Sequence, residues 1–584
     1  MSALDGNNNI LRARDPQIAS CFWCLEANPS LMMCLKCGEE IYFCSPDHLK
    51  YHLSPDDGQD GPCLPFQIDY APPVGRFMTA TKDIEPGGLI FQELPLVVGP
   101  TSQIEGLVCV ECFCRCDGSV RCVHCNFPLC SIICPRQRPQ RWHQTLECPV
   151  LQGQGFRAPD PTFSGIDEKS KTKDDMNGTL RLLTASLLPL RLILLEELEN
   201  SKSTSSMLVS PMGPLPASSS ASTSPRRGPF TFHGDAKDEL VPPRRASNGY
   251  ENGNESGSLS PVVDQAKPSI LLDLHERMTR VIQEEFKLGY NEVEIWNCVG
   301  KMLTNAKSLE GAGFGSGSGL FERYAMINHS CIPNTKCTIN PKNYCLELRA
   351  RTFIHKGTEI TTRYVSFNIG LPDKQVALEG RWHFQCICVR CQDPTELNSF
   401  VSALRCEPSL KCGSSNGPPH CDSYLVPMDL GSFWSCLSCQ KVLARKKIIK
   451  RLGNHSKIIG QTMQQSTRPK YLISLLDELC SDLHPNHYLI LEVRYLLMLS
   501  LAKEDSSRAN CSTLVEITQD LLAITSILDP GPTKTRGIIL KHLIPAWRRL
   551  AQMELDMKLI PDETFRQRKE MSHKFAKDLI SCYK

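Results

Sequence analysis

The stretch CVECFCRCDGSVRCVHCNFPLCSIICPRQRPQRWHQTLEC, residues 109–148, contains Cys109-x2-Cys112, Cys122-x2-Cys125, Cys130-x3-Cys134, His143 and Cys148. Eight soft ligands within forty residues are enough for two four-coordinate zinc sites, because structural zinc takes Cys sulfur and His nitrogen tetrahedrally. A segment this short has almost no core of its own, so metal binding is expected to provide most of its folding free energy.

Outward from this stretch, the chain has 584 residues and 30 cysteines, gathered into four clusters: Cys21 to Cys63, Cys109 to Cys148, Cys386 to Cys391 and Cys406 to Cys439. That length exceeds one hydrophobic core and predicts several domains. The amino terminus, MSALDGNNNILRARD, lacks the apolar core of a signal peptide, and the most apolar run, near Leu182 to Leu195, is interrupted by Pro189 and Arg191. We therefore expect an intracellular protein of the nucleus, the cytoplasm or both, without a membrane segment, whose thiols are metal ligands rather than disulfides. Lys plus Arg number 65 against 63 Asp plus Glu, so no overall excess of charge draws the chain to nucleic acid. The cysteine modules also lack the spacing of DNA-reading fingers, and direct nucleic-acid binding is not indicated.

The order of ligands in residues 109–148 resembles a MYND zinc finger, in which the ligands interleave. The resemblance gives Cys109, Cys112, Cys130 and Cys134 to one zinc and Cys122, Cys125, His143 and Cys148 to the other. Cys21-x2-Cys24, Cys34-x2-Cys37, Cys44-x3-His48 and Cys63 resemble a second, degenerate finger over residues 1–66. There Cys21, Cys24, Cys44 and His48 make one set; Cys34, Cys37 and Cys63 make the other, with His52 as a candidate fourth ligand.

Asn328-His329-Ser330-Cys331-Ile332-Pro333-Asn334, followed by Lys356-Gly357-Thr358-Glu359-Ile360-Thr361-Thr362-Arg363-Tyr364, resembles the two signature stretches of SET-domain lysine methyltransferases. Cys386-x-Cys388-x2-Cys391 resembles a post-SET zinc motif, whose fourth ligand in the SET and MYND proteins is the cysteine of the NHSC stretch, here Cys331. Gly75 to Gly88 resembles the opening strand and turn of the domain, which places the finger inside the SET sequence. Cys412, Cys421, Cys436 and Cys439, with Cys406 as an alternative ligand, resemble the cysteine pairs that follow the SET domain in the arthropod SmydA group.

The implied fold class is α+β: a β-rich SET domain split by a MYND finger, with a post-SET zinc site and a C-terminal helical domain. The expected boundaries are 70–105 and 301–368 for the SET parts, 109–148 for the finger, 176–200 and 269–300 for a helical insertion, 380–396 for the post-SET motif, 406–440 for a zinc ribbon and 450–584 for the helices. Residues 201–268, rich in Ser, Pro, Gly and Asn, cannot bury enough surface to offset ordering entropy and are expected to be disordered. The glycine run from Gly311 to Gly319 reads as a flexible loop, since it lacks the lysine and context of a phosphate cradle. In the helical part, Leu472, Leu475, Leu476 and Leu479 share one face; Ile539, Leu543, Ala546 and Leu550 share another, which Pro545 is expected to kink.

The resemblance implies S-adenosylmethionine and several structural zinc ions as cofactors and a protein lysine as substrate. It makes Tyr364 the residue that aligns amine and methyl group, and gives cofactor contacts to Gly75, Arg76, Phe77, Asn305, Asn328, His329, Tyr364, Trp382 and Phe384. Phe77 stands where active SET domains usually carry a second glycine, which keeps open an alternative: an inactive adaptor or corepressor that binds proline-rich partners through its finger. A role in transcriptional regulation is compatible with either.

Overall fold

The structure is a computed structural model describing residues 32–33, 42–43, 64–72, 74–101, 106–132, 134, 142–160, 173–207, 268–309, 317–341, 343–406 and 421–583. These fall into two compact units, one holding the described residues up to Asn328 together with Asn334–Thr361, the other holding His329–Pro333 and Thr362–Lys584. Near the amino terminus two short strands, β1 (Met32–Met33) and β2 (Tyr42–Phe43), pair antiparallel. The ligands expected of a first finger, Cys21, Cys24, Cys34, Cys37, Cys44, His48 and Cys63, lie outside the described residues.

The first unit is a set of small sheets wrapped around apolar helices. Strands β3 (Phe66–Ala71) and β4 (Gly75–Ala80) form a hairpin in continuous register, with Gly75 at φ +83° where the chain leaves the turn. Strand β5 (Leu89–Glu93) pairs later with distant partners, and β6 (Val97–Pro100) is buried along its whole length. Within the finger, β7 (Val120–Arg121) and β8 (Pro128–Leu129) make a small hairpin, and α1 (Cys148–Gly153) follows a π-turn over His143–Glu147.

Helices α2 (Lys173–Ala185) and α3 (Leu187–Met207) come next. Helix α3 thus extends into the segment expected to be disordered, as far as Met207; residues 208–267 lie outside the described part. The chain resumes with α4 (Pro268–Arg280) and α5 (Glu292–Asn305), the latter opened by a capping box between Asn291 and Glu294.

Strands β9 (Lys307–Ser308), β10 (Gly317–Leu320), β11 (Asn328–His329), β12 (Thr335–Ile339), β13 (Leu346–Ala350) and β14 (Glu359–Thr362) complete the sheets. Their orders are β6-β10-β9, β12-β13-β5 and β11-β14-β4-β3, and β11 and β14 each end one residue inside the second unit. In β13 the residues alternate, with Leu346, Leu348 and Ala350 buried, as a strand with one face on the core requires.

The end of the glycine run corrects a sequence expectation, because Gly317–Leu320 is a buried central strand rather than a loop. Close packing explains it. A Cβ at Gly317 would lie 2.6 Å from a ring carbon of Phe113, and one at Gly99, on the paired strand, 2.7 Å from Cβ of Leu188. Glycine therefore lets finger and helix sit directly on this sheet. Leu187, Leu188, Leu190 and Leu192 of α3 are essentially fully buried, each worth about 1.5–3 kcal/mol of transfer free energy.

The finger shares this core. Phe127 packs on Phe156 at 5.7 Å between centroids, and Phe156 on Phe286 at 4.9 Å. Metal is thus not the sole organiser of residues 109–148.

The second unit begins with α6 (Leu371–Trp382) and the one-turn α7 (Val389–Gln392). A four-stranded antiparallel sheet follows, β15 (Leu404–Arg405), β16 (Tyr424–Met428), β17 (Phe433–Cys436) and β18 (Val442–Ala444), with Trp434 fully buried and its indole N–H donating to the Ser402 carbonyl at 3.1 Å. Six helices end the chain: α8 (Arg445–Gln465), α9 (Pro469–Cys480), α10 (Tyr488–Leu501), α11 (Arg508–Leu528), α12 (Lys534–Asp556) and α13 (Asp562–Tyr583). The helical part starts a few residues before the expected position 450. Both apolar stripes face the interior: Leu472, Leu475, Leu479, Ile539, Leu543, Ala546 and Leu550 are all buried. Pro545 sits inside α12, where its neighbours Ile544 and Ala546 are buried and offset the ~3 kcal/mol that an interior proline costs.

Candidate metal centres and active site

Each Cys-x2-Cys pair of the finger is built on the same closed turn. The amide of Phe113 donates to the Cys109 carbonyl at 2.8 Å and that of Asn126 to the Cys122 carbonyl at 2.9 Å, with Phe113 and Asn126 both at φ +63°. This left-handed residue after the second cysteine turns the pair's thiols to one side. In Cys436-x2-Cys439 the turn recurs: the Gln440 amide donates to the Cys436 carbonyl at 3.2 Å, with φ +59°.

The thiols then meet in groups of four whose ligand atoms all lie within 4.8 Å of one another. The first unit holds Cys109, Cys112, Cys130 and Cys134, and separately Cys122, Cys125, His143 and Cys148. The second unit holds Cys331, Cys386, Cys388 and Cys391, and separately Cys406, Cys421, Cys436 and Cys439. Individual separations are 3.8 Å for Cys112 to Cys130, 3.6 Å for Cys122 to Cys148, 3.5 Å for Cys331 to Cys391 and 3.6 Å for Cys406 to Cys439. Four sulfurs about 2.3 Å from one zinc sit roughly 3.8 Å apart, so the donor type and the spacing both suit zinc. None of the described cysteines forms a disulfide.

The last group holds the ligand that the sequence offered as an alternative. Cys412 lies outside the described residues, and Cys406 makes the fourth member. Strand register accounts for this: Arg405 pairs with Tyr424, and the next residue's amide donates to the Ser423 carbonyl at 2.9 Å, which leaves Cys406 beside Cys421.

Behind the Cys331 group stands a buried set of polar side chains that spacing does not reveal. Gln375 clamps Cys386, its amide donating to the Cys386 carbonyl at 2.8 Å and its oxygen accepting from the Cys386 amide at 2.9 Å. Glu396 receives Lys374 at 3.2 Å and Arg390 at 3.0 Å, all three essentially without exposure. Burial works against ionisation of Glu396, yet the two cations hold its pKa below the ordinary carboxylate value.

The predicted site residues divide between the units. In the first, Gly75, Arg76 and Phe77 open β4, with Phe77 half-buried opposite Asp69. Asn305 ends α5, its side chain donating back to the Lys301 carbonyl at 3.2 Å. Asn328 donates to Glu359 Oε1 at 3.0 Å, while Asn334 donates to the Glu359 carbonyl at 2.8 Å and accepts from the Thr361 amide at 2.8 Å. The two asparagines of the NHSCIPN stretch thus fasten both of its ends to β14.

In the second unit His329, Tyr364, Trp382 and Phe384 come together. The Tyr364 amide donates to His329 Nδ1 at 3.0 Å, which leaves Nε2 to carry the proton 3.4 Å from Cys331 Sγ. Ring centroids are 5.0 Å apart for Tyr364 and Trp382, 6.4 Å for Tyr364 and Phe384 and 5.3 Å for His329 and Tyr364. His383, at φ +58°, ends α6 and turns the chain between Trp382 and Phe384. Arg363 reaches the Cys331 carbonyl at 3.0 Å, the Leu528 carbonyl at 2.9 Å and Asp529 at 2.7 Å, so the end of α11 is bound to the residues around Tyr364. Sequence reasoning passed over Arg363, although its place beside Tyr364 was a signal.

The SET domain family matches residues 75–365, which covers the split sheets and the NHSC and Tyr364 segments just described. The chain is a SET-domain protein. It is 24% identical to SET domain-containing protein SmydA-8, isoform A, of Drosophila melanogaster over 479 residues, 80% of this chain and 85% of that one. Shorter matches join it to Histone-lysine N-methyltransferase Smyd1 of Mus musculus, 28% identical over 18% of this chain and 23% of that protein, and to N-lysine methyltransferase SMYD2-B of Xenopus laevis, 35% identical over 14% and 19%. The similarity to these relatives fits a SET and MYND methyltransferase of SmydA-like organisation.

Proposed function

We propose that this chain is an S-adenosylmethionine-dependent protein-lysine methyltransferase whose four cysteine groups hold structural zinc. The observation that carries this reading is the set of rings about Tyr364, at the end of the SET match and beside the Cys331 group. Aromatic faces favour a methylammonium cation and exclude water, and they fit a sulfonium for the same reason.

S-adenosylmethionine supplies, when bound, an electrophilic methyl group for in-line transfer to an amine. In this reading the contact residues are Gly75, Arg76, Phe77, Asn305, Asn328, His329, Tyr364, Trp382 and Phe384. Tyr364 accepts a hydrogen bond from the neutral substrate amine and so orients its lone pair; His329 fixes the tyrosine backbone, and Trp382 and Phe384 limit its ring. Phe77 adds an apolar ring, without a charge or hydrogen-bonding group, where a glycine is usual in active SET domains. The finger recruits partners with proline-rich segments, which suits Val123 and Ile132, 77% and 83% exposed on its surface. The chain acts in the nucleus, the cytoplasm or both, and includes transcription among its targets.

Calorimetric titration of zinc-loaded protein with S-adenosylmethionine tests the proposal, and absence of binding to folded protein would sink it. Where binding is seen, Tyr364→Phe should lower lysine methyl transfer on the order of 10²-fold with zinc content unchanged. Undiminished transfer would remove Tyr364 from the chemistry.

A further inference from the structure

Arg191 is the lone basic residue in an apolar stretch of α3 and is fully buried. Its Nε donates to Glu147 Oε2 at 2.9 Å and its Nη2 to Glu147 Oε1, while Nη1 reaches the Val98 carbonyl at 2.8 Å and Nη2 the Val110 carbonyl at 3.0 Å. Glu147, also without exposure, uses Oε1 a second time, 2.9 Å from His143 Nδ1. The other nitrogen of that ring, Nε2, lies 3.4 Å from Cys125 Sγ in the group formed with Cys122 and Cys148. A further carboxylate, Glu111, accepts the His143 backbone amide at 3.1 Å.

We propose that Glu147 and Arg191 are positioning residues for the metal centre of Cys122, Cys125, His143 and Cys148. Together they keep the His143 proton on Nδ1 and its Nε2 lone pair turned to the metal. A carboxylate paired with an arginine only accepts, so Nδ1 must donate. The ring then has one orientation and one tautomer before metal arrives. Outer partners of this kind change metal affinity about 10- to 100-fold. Because Arg191 belongs to α3 and also grips β6 and the finger at Val110, the second metal centre is tied to the core of the first unit. His143 and Glu147 lie four residues apart, which sets both side chains on one face of their turn.

This assignment rests on reading the four residues as a metal site. The test uses full-length protein loaded with ¹¹³Cd and titrated with a competing chelator. Among the described residues one group includes a histidine and three are built of cysteines alone, and the cadmium resonance that changes in His143→Cys marks the former. Glu147→Gln should weaken cadmium at the histidine-containing site about 10- to 100-fold while the Cys331 group keeps its metal. The double variant Glu147→Gln/Arg191→Met removes both partners of the buried ion pair and should show the same selective loss if the single variant folds poorly. In a His143→Cys background, which has no ring to orient, Glu147→Gln should leave affinity unchanged or raise it by removing a neighbouring negative charge. Equal loss in both backgrounds would make Glu147 a merely structural residue and overturn the proposal, as would unaltered affinity in the single and double variants. Absence of a cadmium resonance that responds to His143→Cys would instead remove the metal site itself, and the proposal with it.

Discussion

A single added methyl group at residue 317 has nowhere to go, since Phe113 already occupies the space at 2.6 Å. Gly317→Ala should therefore lower the stability of the first unit by about 1–3 kcal/mol, read as a fall in melting temperature, and Phe113→Leu in the same chain should restore part of it. An unchanged melting temperature in Gly317→Ala would mean that the ring yields freely. Gly317 also marks how far local sequence could be read. Glycine density signals a loop, and the reason for these glycines lies two hundred residues away, beyond any window. Arg191 and Glu147 escaped notice for the same reason, as an apparent flaw in an apolar run and one acidic residue among many. The clustering of the cysteines was legible because most of them come in local pairs with fixed spacing. Cys406 was harder to read, because strand register rather than spacing sets it beside Cys421.

Among the elements, α10 has an unusual start. His487 caps it, its Nδ1 accepting the Leu489 amide at 3.3 Å. Burial, reinforced by His455 and His484, pushes the His487 pKa down to about 3. Burial together with Arg405 and Arg494 takes His484 down to about 4. Both rings are neutral in the folded chain, whereas in the unfolded chain they protonate near 6.5. Their contribution is thus complete above about pH 6.5 and falls as pH drops towards 4. For His487 the slope approaches about 1.4 kcal/mol per pH unit. Urea unfolding at about pH 7.5 and pH 5 should show this loss, and His487→Asn, which keeps an N-cap acceptor, should flatten it. An equal pH slope in the variant would assign the acid sensitivity elsewhere. The helical periodicities in this region were legible because their buried faces repeat in sequence. Its histidine cap was not, since a histidine has no strong capping preference and only burial gives it this role.

At the scale of the molecule, the four ligand groups among the described residues are shared equally, two in each unit. If all four hold structural zinc, chelation should loosen both units. Hydrogen exchange after treatment with a strong chelator is expected to show lost amide protection in α3 of the first unit and α11 of the second, with recovery on adding zinc. Protection kept in α11 would confine the metal dependence to the first unit. The place of the SET domain in the chain was legible, because motif order survives without knowledge of contacts. What the order could not show is the shared core of finger and SET strands, which depends on Phe127, Phe156 and Phe286 meeting in space.

The path of the backbone sets a rule for dissecting this protein. The five residues His329–Pro333 belong to the second unit, yet the sequence on either side belongs to the first, so the chain is stitched from one to the other and back before it crosses for good after Thr361. The stitch carries Cys331, one of the four sulfurs of a group whose other three come from 386–391. No single cut can therefore free the second unit with all its ligands and leave the first unit whole. A fragment beginning at Thr362 inherits three sulfurs and an incomplete coordination shell, and the piece left behind keeps the fourth. Restoring the group by mixing two halves would need the short loop supplied in trans, a demand that favours inheritance of this region as one indivisible block.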